Sequence, residues 1–195
     1  MGQQTTPDQP IITMRGDKIA LGPPDPGLVS QLQRWLNDFE VGRTTWGVLP
    51  LTLEDAADRY RRNTDAGNVS FVIYERATTR CIGTTLLTGI DRHDRTANFG
   101  IVIGEKDCWG KGYGTETTRL MLEYAFDALD LHNVMLTMQQ YNKRAMRAYE
   151  KAGFRLIGRR RRPHRLGGRA HDEILMDCLA TEFEGSLLPA LRPGE

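Results

Sequence analysis

Ala97-Asn98-Phe99-Gly100-Ile101-Val102-Ile103-Gly104-Glu105-Lys106-Asp107-Cys108-Trp109-Gly110-Lys111-Gly112-Tyr113-Gly114-Thr115 is the stretch that decides the fold. Phe99, Ile101 and Ile103 alternate with Asn98, Gly100 and Val102, the period of a strand with two different faces. From Thr115 onward the spacing changes, and Leu120, Met121, Tyr124, Ala125 and Ala128 trace one side of a helix. Three glycines at the junction leave backbone N–H groups uncovered, and the first turn of a helix adds unpaired donors at a positive dipole end. That arrangement is a cradle for a phosphorylated ligand.

The glycine spacing narrows the ligand. G-x-G-x-x-G, the dinucleotide fingerprint, is absent, because Gly110, Gly112 and Gly114 are spaced G-x-G-x-G. A nucleoside-triphosphate loop needs Gly-Lys followed by Ser or Thr, whereas Lys111 is followed by Gly112. Trp109-Gly110-Lys111-Gly112-Tyr113-Gly114 instead resembles the pyrophosphate loop of the GNAT superfamily of acetyl-CoA-dependent N-acetyltransferases, with Trp109 where Gln or Arg is commoner. The variant looks like the Rim-type branch, which acts on ribosomal protein N-termini. Downstream, Asn142-Lys143-Arg144-Ala145-Met146-Arg147-Ala148-Tyr149-Glu150-Lys151-Ala152-Gly153-Phe154 resembles the second cofactor motif of that superfamily, after a strand-like run Val134–Met138. The resemblance covers about Leu28 to Leu179 and is concentrated between 97 and 154.

The resemblance implies an α+β fold, with a mixed, mainly antiparallel central sheet flanked by helices on both faces. It implies an enzyme that moves an acetyl group from acetyl-CoA to a primary amine by direct attack in a ternary complex. Ile101, Val102 and Ile103 would pair with the pantetheine arm and polarise the carbonyl. Trp109, Gly110, Lys111, Gly112, Tyr113, Gly114 and Thr115 would hold the pyrophosphate, with Asn142 as a further contact. Asn142 is also placed to cap the helix it opens, and Lys111 and Lys151 are as readily plain solvated lysines. Tyr149 is the candidate general acid for the departing thiolate, a role that asks for an environment lowering the phenol from its ordinary value near 10. A helical aromatic at that spacing is otherwise a core residue.

The base has no clear occupant. Relatives carry Glu at the second position of an Ala-Glu-x-Gly-type segment, where this chain has Ala97-Asn98-Phe99-Gly100. Glu105, just past the strand, is the substitute candidate. A water relay, or an amine arriving neutral, would need no side-chain base. For the acceptor, Trp35, Glu40, Trp46 and Asn98 are candidate contacts. The acceptor itself, a protein N-terminus or a small-molecule amine such as an antibiotic or polyamine, stays open. Alternative functions are a non-catalytic acyl-CoA-binding sensor or assembly module, which Asn98 favours, and a transferase using another acyl-CoA such as succinyl-CoA.

Composition fits one domain. The chain has 195 residues, 39% apolar and 26% charged, with net charge +1, so no overall field argues for nucleic acid. Three cysteines, an odd number without metal-ligand spacing, read as reduced thiols of a cytoplasmic protein with no metal. No apolar run approaches a membrane span. Residues 1–10 and 186–195 read as flexible tails around a single domain at 11–185, with a homodimer possible by analogy.

Elsewhere, Asp25-Pro26 opens a helix whose stripe is Leu28, Val29, Leu32, Trp35, Leu36 and Phe39. Thr52 and Asp55 form a capping box for a helix to about Arg62. Strands are expected at Ile19–Leu21, Val69–Tyr74, Cys81–Ile90, Ala97–Ile103, Asn133–Gln139, Phe154–Ile157 and Glu173–Leu179, and helices at Thr115–Asp130 and Lys143–Ala152. His164 and His171 lack a matching carboxylate and cysteine set for a metal. Arg159-Arg160-Arg161-Arg162-Pro163-His164-Arg165 reads as a solvated hairpin between the last two strands, with a nucleic-acid patch as the sharper alternative. Between them stands a hairpin that greets an acidic acceptor, a cofactor phosphate or a dimer partner.

Overall fold

The computed structural model describes residues 10–45, 49–65 and 67–185. Both expected tails, apart from Pro10, and Trp46 lie outside the described residues. Eight strands form one sheet in the order β1 (Met14–Arg15), β2 (Ile19–Gly22), β3 (Val69–Glu75), β4 (Cys81–Asp91), β5 (Thr96–Ile103), β6 (Asn133–Gln139), β8 (Arg169–Leu179) and β7 (Arg155–Leu166). Every neighbouring pair is antiparallel except β5 and β6. This is the mixed, mainly antiparallel sheet the resemblance implies.

Strand alternation divides the core in two. On β3, Phe71 and Ile73 enter a cluster with Leu87, Phe99, Leu120, Met121, Val134 and Phe154, roofed by α4 (Tyr113–Glu123) and α5 (Lys143–Ala152). Val72 and Tyr74 point the other way, toward Leu32, Trp35 and Leu36 of α1 (Val29–Asn37). Fully burying each such side chain contributes roughly 1.5–3 kcal/mol. The helices therefore lie on both faces because β3 is apolar at every position from Phe71 to Tyr74, as a doubly covered strand must be.

The last two strands run longer than the sequence expectation, β7 to Leu166 and β8 from Arg169, because they pair through the arginine run, β1 is an addition, and two helical segments also differ. Phe39 does not continue the α1 stripe; it is 62% exposed. The Asp38 carboxylate accepts from Glu40 N–H and Val41 N–H and starts a separate short helix, α2 (Phe39–Gly42), which redirects Phe39 to solvent. The α4 helix begins two residues earlier than expected and gives way to a π-helical turn over Tyr124–Ala128, where Leu129 N–H reaches back to the Tyr124 carbonyl. By contrast, β6 and α5 have the expected bounds, Gly153 closes α5 at φ 116°, and the Thr52–Asp55 capping box opens α3 (Leu53–Thr64). Among the described residues, no helix is long and apolar enough to cross a membrane.

Candidate active site

The site grows from an incomplete strand pair. β5 and β6 are in register only at Thr96–Asn133, Ala97–Val134 and Asn98–Met135, and beyond them the strands part. Gly104 N–H donates to the Ile82 carbonyl, so in the antiparallel ladder Gly100 and Val102 bond toward β4. The backbone groups of Ile101 and Ile103 consequently face the gap, with the Ile103 carbonyl already accepting from the Trp109 indole at 2.8 Å. A fully paired sheet would leave no such groups free.

The gap opens into a cleft of about 300 Å³. Its floor is Ile101, Val102 and Ile103; one end is Trp109, Gly110, Gly112, Tyr113, Gly114 and Thr115; the far wall is Asn142, Ala145, Ala148 and Tyr149 from α5. Gly112 caps α4 at φ 90° and Gly110 sits at φ 78°, left-handed conformations that favour glycine. The first N–H groups of α4 have no acceptor within the helix. A methyl group at Gly114 would meet no protein atom within 4 Å, so the space beside the helix start is left for a ligand. Arg144, Arg147 and Lys151 also line the cleft, and no Asp, Glu or His does among the described residues. Backbone donors and three cations together fit a pyrophosphate-bearing group such as that of acetyl-CoA.

The chain belongs to the GNAT acetyltransferase family. Its acetyltransferase (GNAT) domain match spans residues 18–155. The chain is 35% identical over 115 residues to "Probable N-acetyltransferase YjcK" of Bacillus subtilis, covering 58% of this chain and 63% of the relative. It is 31% identical over 103 residues to YdaF of the same organism, provisionally named a ribosomal N-acetyltransferase, covering 53% and 56%. It is 30% identical over 94 residues to spermidine N(1)-acetyltransferase of Escherichia coli, covering 48% and 50%. The matches thus span between half and just under two thirds of these relatives. In fold the chain is similar to Vibrio cholerae spermidine N-acetyltransferase in complex with CoA and spermine, with TM-score 0.77 and 23% identity over 85% of this chain and 97% of that one.

In this GNAT domain Tyr149 stands half-buried at the cleft wall, its ring edge-on to Phe99 at 6.1 Å and to Phe154 at 5.9 Å. Its hydroxyl makes no hydrogen bond among the described residues. Burial pushes the phenol up to about 12, opposite to the lowering that a proton-donor role asks for. The group is therefore neutral at any physiological pH. Tyr113, also on the cleft, is pushed up to about 12 because its hydroxyl is bound to the Glu75 carboxylate at 2.5 Å. Asn142 caps α5, accepting from Ala145 N–H at 3.2 Å, while lining the cleft.

Several expected residues lie elsewhere. Glu105 is not on the cleft: it accepts from the Trp35 indole at 2.8 Å, Arg80 at 3.2 Å, Gln31 at 3.3 Å and Arg34 at 3.4 Å. Four donors on one carboxylate leave it a structural anchor with no free approach to an amine. Trp35 is likewise a core residue, 3% exposed, packed so tightly on the backbone that a Cβ at Gly104 would overlap its ring. Glu40 is ion-paired with Lys106 at 2.9 Å, which Asp38 shares at 2.7 Å. Asn98 is exposed on the sheet between Thr88 and Met135, away from the cleft lining. Lys111 is exposed, its carbonyl accepting from the Lys18 ammonium at 3.4 Å, and is not among the lining residues.

Other residues on the cleft have no counterpart in the sequence reading. The Arg144 guanidinium lies 3.6 Å over the Trp109 ring, and desolvation there holds it below its ordinary value. Positions 144 and 147 flank the 142–145–149 face of one helix, so helical spacing carried that signal. Thr44 reaches the cleft from a turn about 100 residues away in sequence, for which there was no local signal. Cys108 also borders the cleft, 2% exposed, with its thiol raised by desolvation and flanking Asp107, a poor nucleophile. No group of three or more His, Cys, Asp or Glu residues among the described residues is arranged to hold a metal ion.

Proposed function

We propose that the chain transfers an acetyl group from acetyl-CoA to a primary amine with an unusually accessible neutral form, an α-amine before any other, by direct attack within a ternary complex. What supports this reading is the cleft's composition: open backbone groups on one wall, an unpartnered phenol on the other, and, among the described residues, no carboxylate or imidazole between. Ile101 and Ile103 would hold the pantetheine arm as an added strand edge. The first turn of α4, with Arg144, Arg147 and Lys151, would hold the phosphates. The amine nitrogen then attacks the thioester carbonyl, and the carbon–sulfur bond breaks as the Tyr149 hydroxyl hydrogen-bonds the departing thiolate. The proton that the nitrogen sheds on becoming an amide passes to solvent, so that one proton in all moves from nitrogen to sulfur.

A phenol near 12 is a weaker acid than a thiol near 8.5. Its first contribution is therefore a hydrogen bond to the developing thiolate, with transfer completed as solvent reaches the site. With Glu105 tied to α1 and Arg80, no cleft group removes the amine's proton, so the amine must arrive neutral. An α-amine near 7.7–8.0 does so readily, and a lysine-type amine near 10.4 rarely does. Cys108, buried and raised, gives no support to an acyl-enzyme route.

The test is release of free CoA from acetyl-CoA with a panel of peptides, aminoglycosides and polyamines, followed across pH. The expected result is kcat/KM rising with unit slope to the pKa of the accepted amine and then levelling. Tight acetyl-CoA binding without release from any amine would overturn the transferase reading in favour of a sensor.

A further inference from the structure

The turn between β1 and β2 is built against the glycine turn, from the far end of the domain in sequence. The Glu116 carboxylate, in the first turns of α4, accepts from Lys18 N–H at 2.9 Å and from Ile19 N–H at 3.4 Å. So close an approach requires a glycine at 16, because a Cβ there would overlap the same carboxylate oxygen. The turn is also held from behind. The Lys18 carbonyl accepts from Arg76 N–H at 2.9 Å, and the Gly16 carbonyl accepts from the Arg76 guanidinium at 2.8 Å.

These contacts decide where the Lys18 side chain ends. Its ammonium donates to the Lys111 carbonyl at 3.4 Å and stands 3.6 Å from the position a Cβ would take on Gly112. Lys111 and Gly112 form the turn that opens α4. Gly112 lines the cleft and also a second cavity, of about 440 Å³, whose walls include Asp17, Glu116, Arg119 and Phe183. Thr115 and Lys151 are common to both cavities, so the glycine turn stands between them.

The ammonium is left open. It has three donors and makes one long hydrogen bond, with no carboxylate partner among the described residues. Glu116, the acid on the same turn, is occupied by backbone N–H groups. Lys106 shows the opposite case, its ammonium closed between Asp38 at 2.7 Å and Glu40 at 2.9 Å. Lys18 is fixed at its backbone and unpaired at its tip, beside the donors of a helix start.

We infer that Lys18 is a binding residue for a phosphate of the acyl-CoA donor, brought to the glycine turn by Glu116 and Gly16. This rests on the reading above, in which the first turn of α4 holds the phosphates. Backbone N–H groups there supply direction and a partial charge; an ammonium on the outer side adds a full one. CoA carries phosphate in two places, the pyrophosphate and the ribose 3′-phosphate, and Lys18 stands beside a residue that borders both cavities. Glu116 and Gly16 are positioning residues.

The experiment measures the Kd of CoA and of dephospho-CoA by calorimetry, at low and high salt. Lys18→Met, which keeps the stem and removes the charge, should weaken CoA about three- to fivefold, the size of an exposed charge pair. The loss should shrink at high salt, and Lys18→Arg should restore most of the affinity. Glu116→Ala should bind more weakly than Glu116→Gln, which removes the same charge but keeps an oxygen for the two N–H groups. Adding Lys18→Met to Glu116→Ala should then cost little more. A loss with CoA alone assigns Lys18 to the 3′-phosphate, and an equal loss with both ligands assigns it to the pyrophosphate. A Lys18→Met Kd equal to wild type for both ligands, or a loss that Lys18→Arg does not restore, would overturn the inference and leave the transferase reading intact. Wild-type protein that binds neither ligand would break the transferase reading itself.

Discussion

The two walls of the cleft are built from different materials. The proposed donor side, residues 99–115 and 142–149, offers backbone groups: a strand edge left open where β6 parts from β5, and a helix start kept clear by glycines. The opposite rim, at Thr44 and beside Tyr141, is set by side chains and by contacts between distant segments, the Tyr141 hydroxyl donating to the Arg43 carbonyl. A backbone site binds what all its relatives bind, because every chain has the same N–H and C=O groups. A side-chain site is where one relative can differ from another.

Substitutions can break this division or sharpen it. The largest effect is expected from Tyr149→Phe, which removes the phenol and leaves its ring contacts with Phe99 and Phe154 in place. Turnover should fall about 10²-fold or more with the acetyl-CoA Kd nearly unchanged; full activity would strip Tyr149 of its role. Gly104→Ala should follow, destabilising the fold by roughly 1–3 kcal/mol in denaturant unfolding because the added methyl overlaps the Trp35 ring. Gly114→Ala should separate binding from stability. It raises the acetyl-CoA KM severalfold by filling the space at the α4 start, yet stabilises the helix by roughly 0.5–1 kcal/mol.

Smaller effects test the residues that left the site. Glu105→Gln should lower the melting temperature slightly and change kcat less than about twofold, since a base is worth about 10²-fold or more. A larger loss in kcat would return Glu105 to the chemistry. In alkali the buried phenol gives a further signature. Its folded pKa lies near 12 against 10.0 ordinarily, so the folded state binds the proton more tightly. Its contribution to stability is complete below pH 10 and is lost as pH rises through about 12. Unfolding free energy should therefore fall over that window, and Tyr149→Phe should make the fall shallower; Tyr113, also near 12, accounts for part of what remains.

Much of the donor side was legible because its signals are local. Alternation placed β5, glycine spacing placed the turn, and helical spacing brought Asn142, Ala145 and Tyr149 to one face. The acceptor side was not. Trp35 and Glu105 are 70 residues apart and satisfy each other, which no periodicity announces. Phe39 fits the α1 stripe by spacing, but the Asp38 cap ends the helix first. The arginine run reads as a solvated turn, yet β7 extends through it, because its backbone pairs with β8 as far as Leu166 and Arg169.

By itself the sequence determined the order and type of the elements around 97–154, the glycine turn and the family, since each follows from the spacing of neighbouring residues and the conformations their side chains allow. Only the tertiary structure decided where β5 and β6 part, that Glu105 is anchored and not free, that burial raises the Tyr149 phenol, and that β7 pairs with β8 through the arginine run. Those depend on which groups meet across the sheet. A carboxylate becomes a base or an anchor, and a phenol a stronger or weaker acid, according to neighbours that lie far away along the chain.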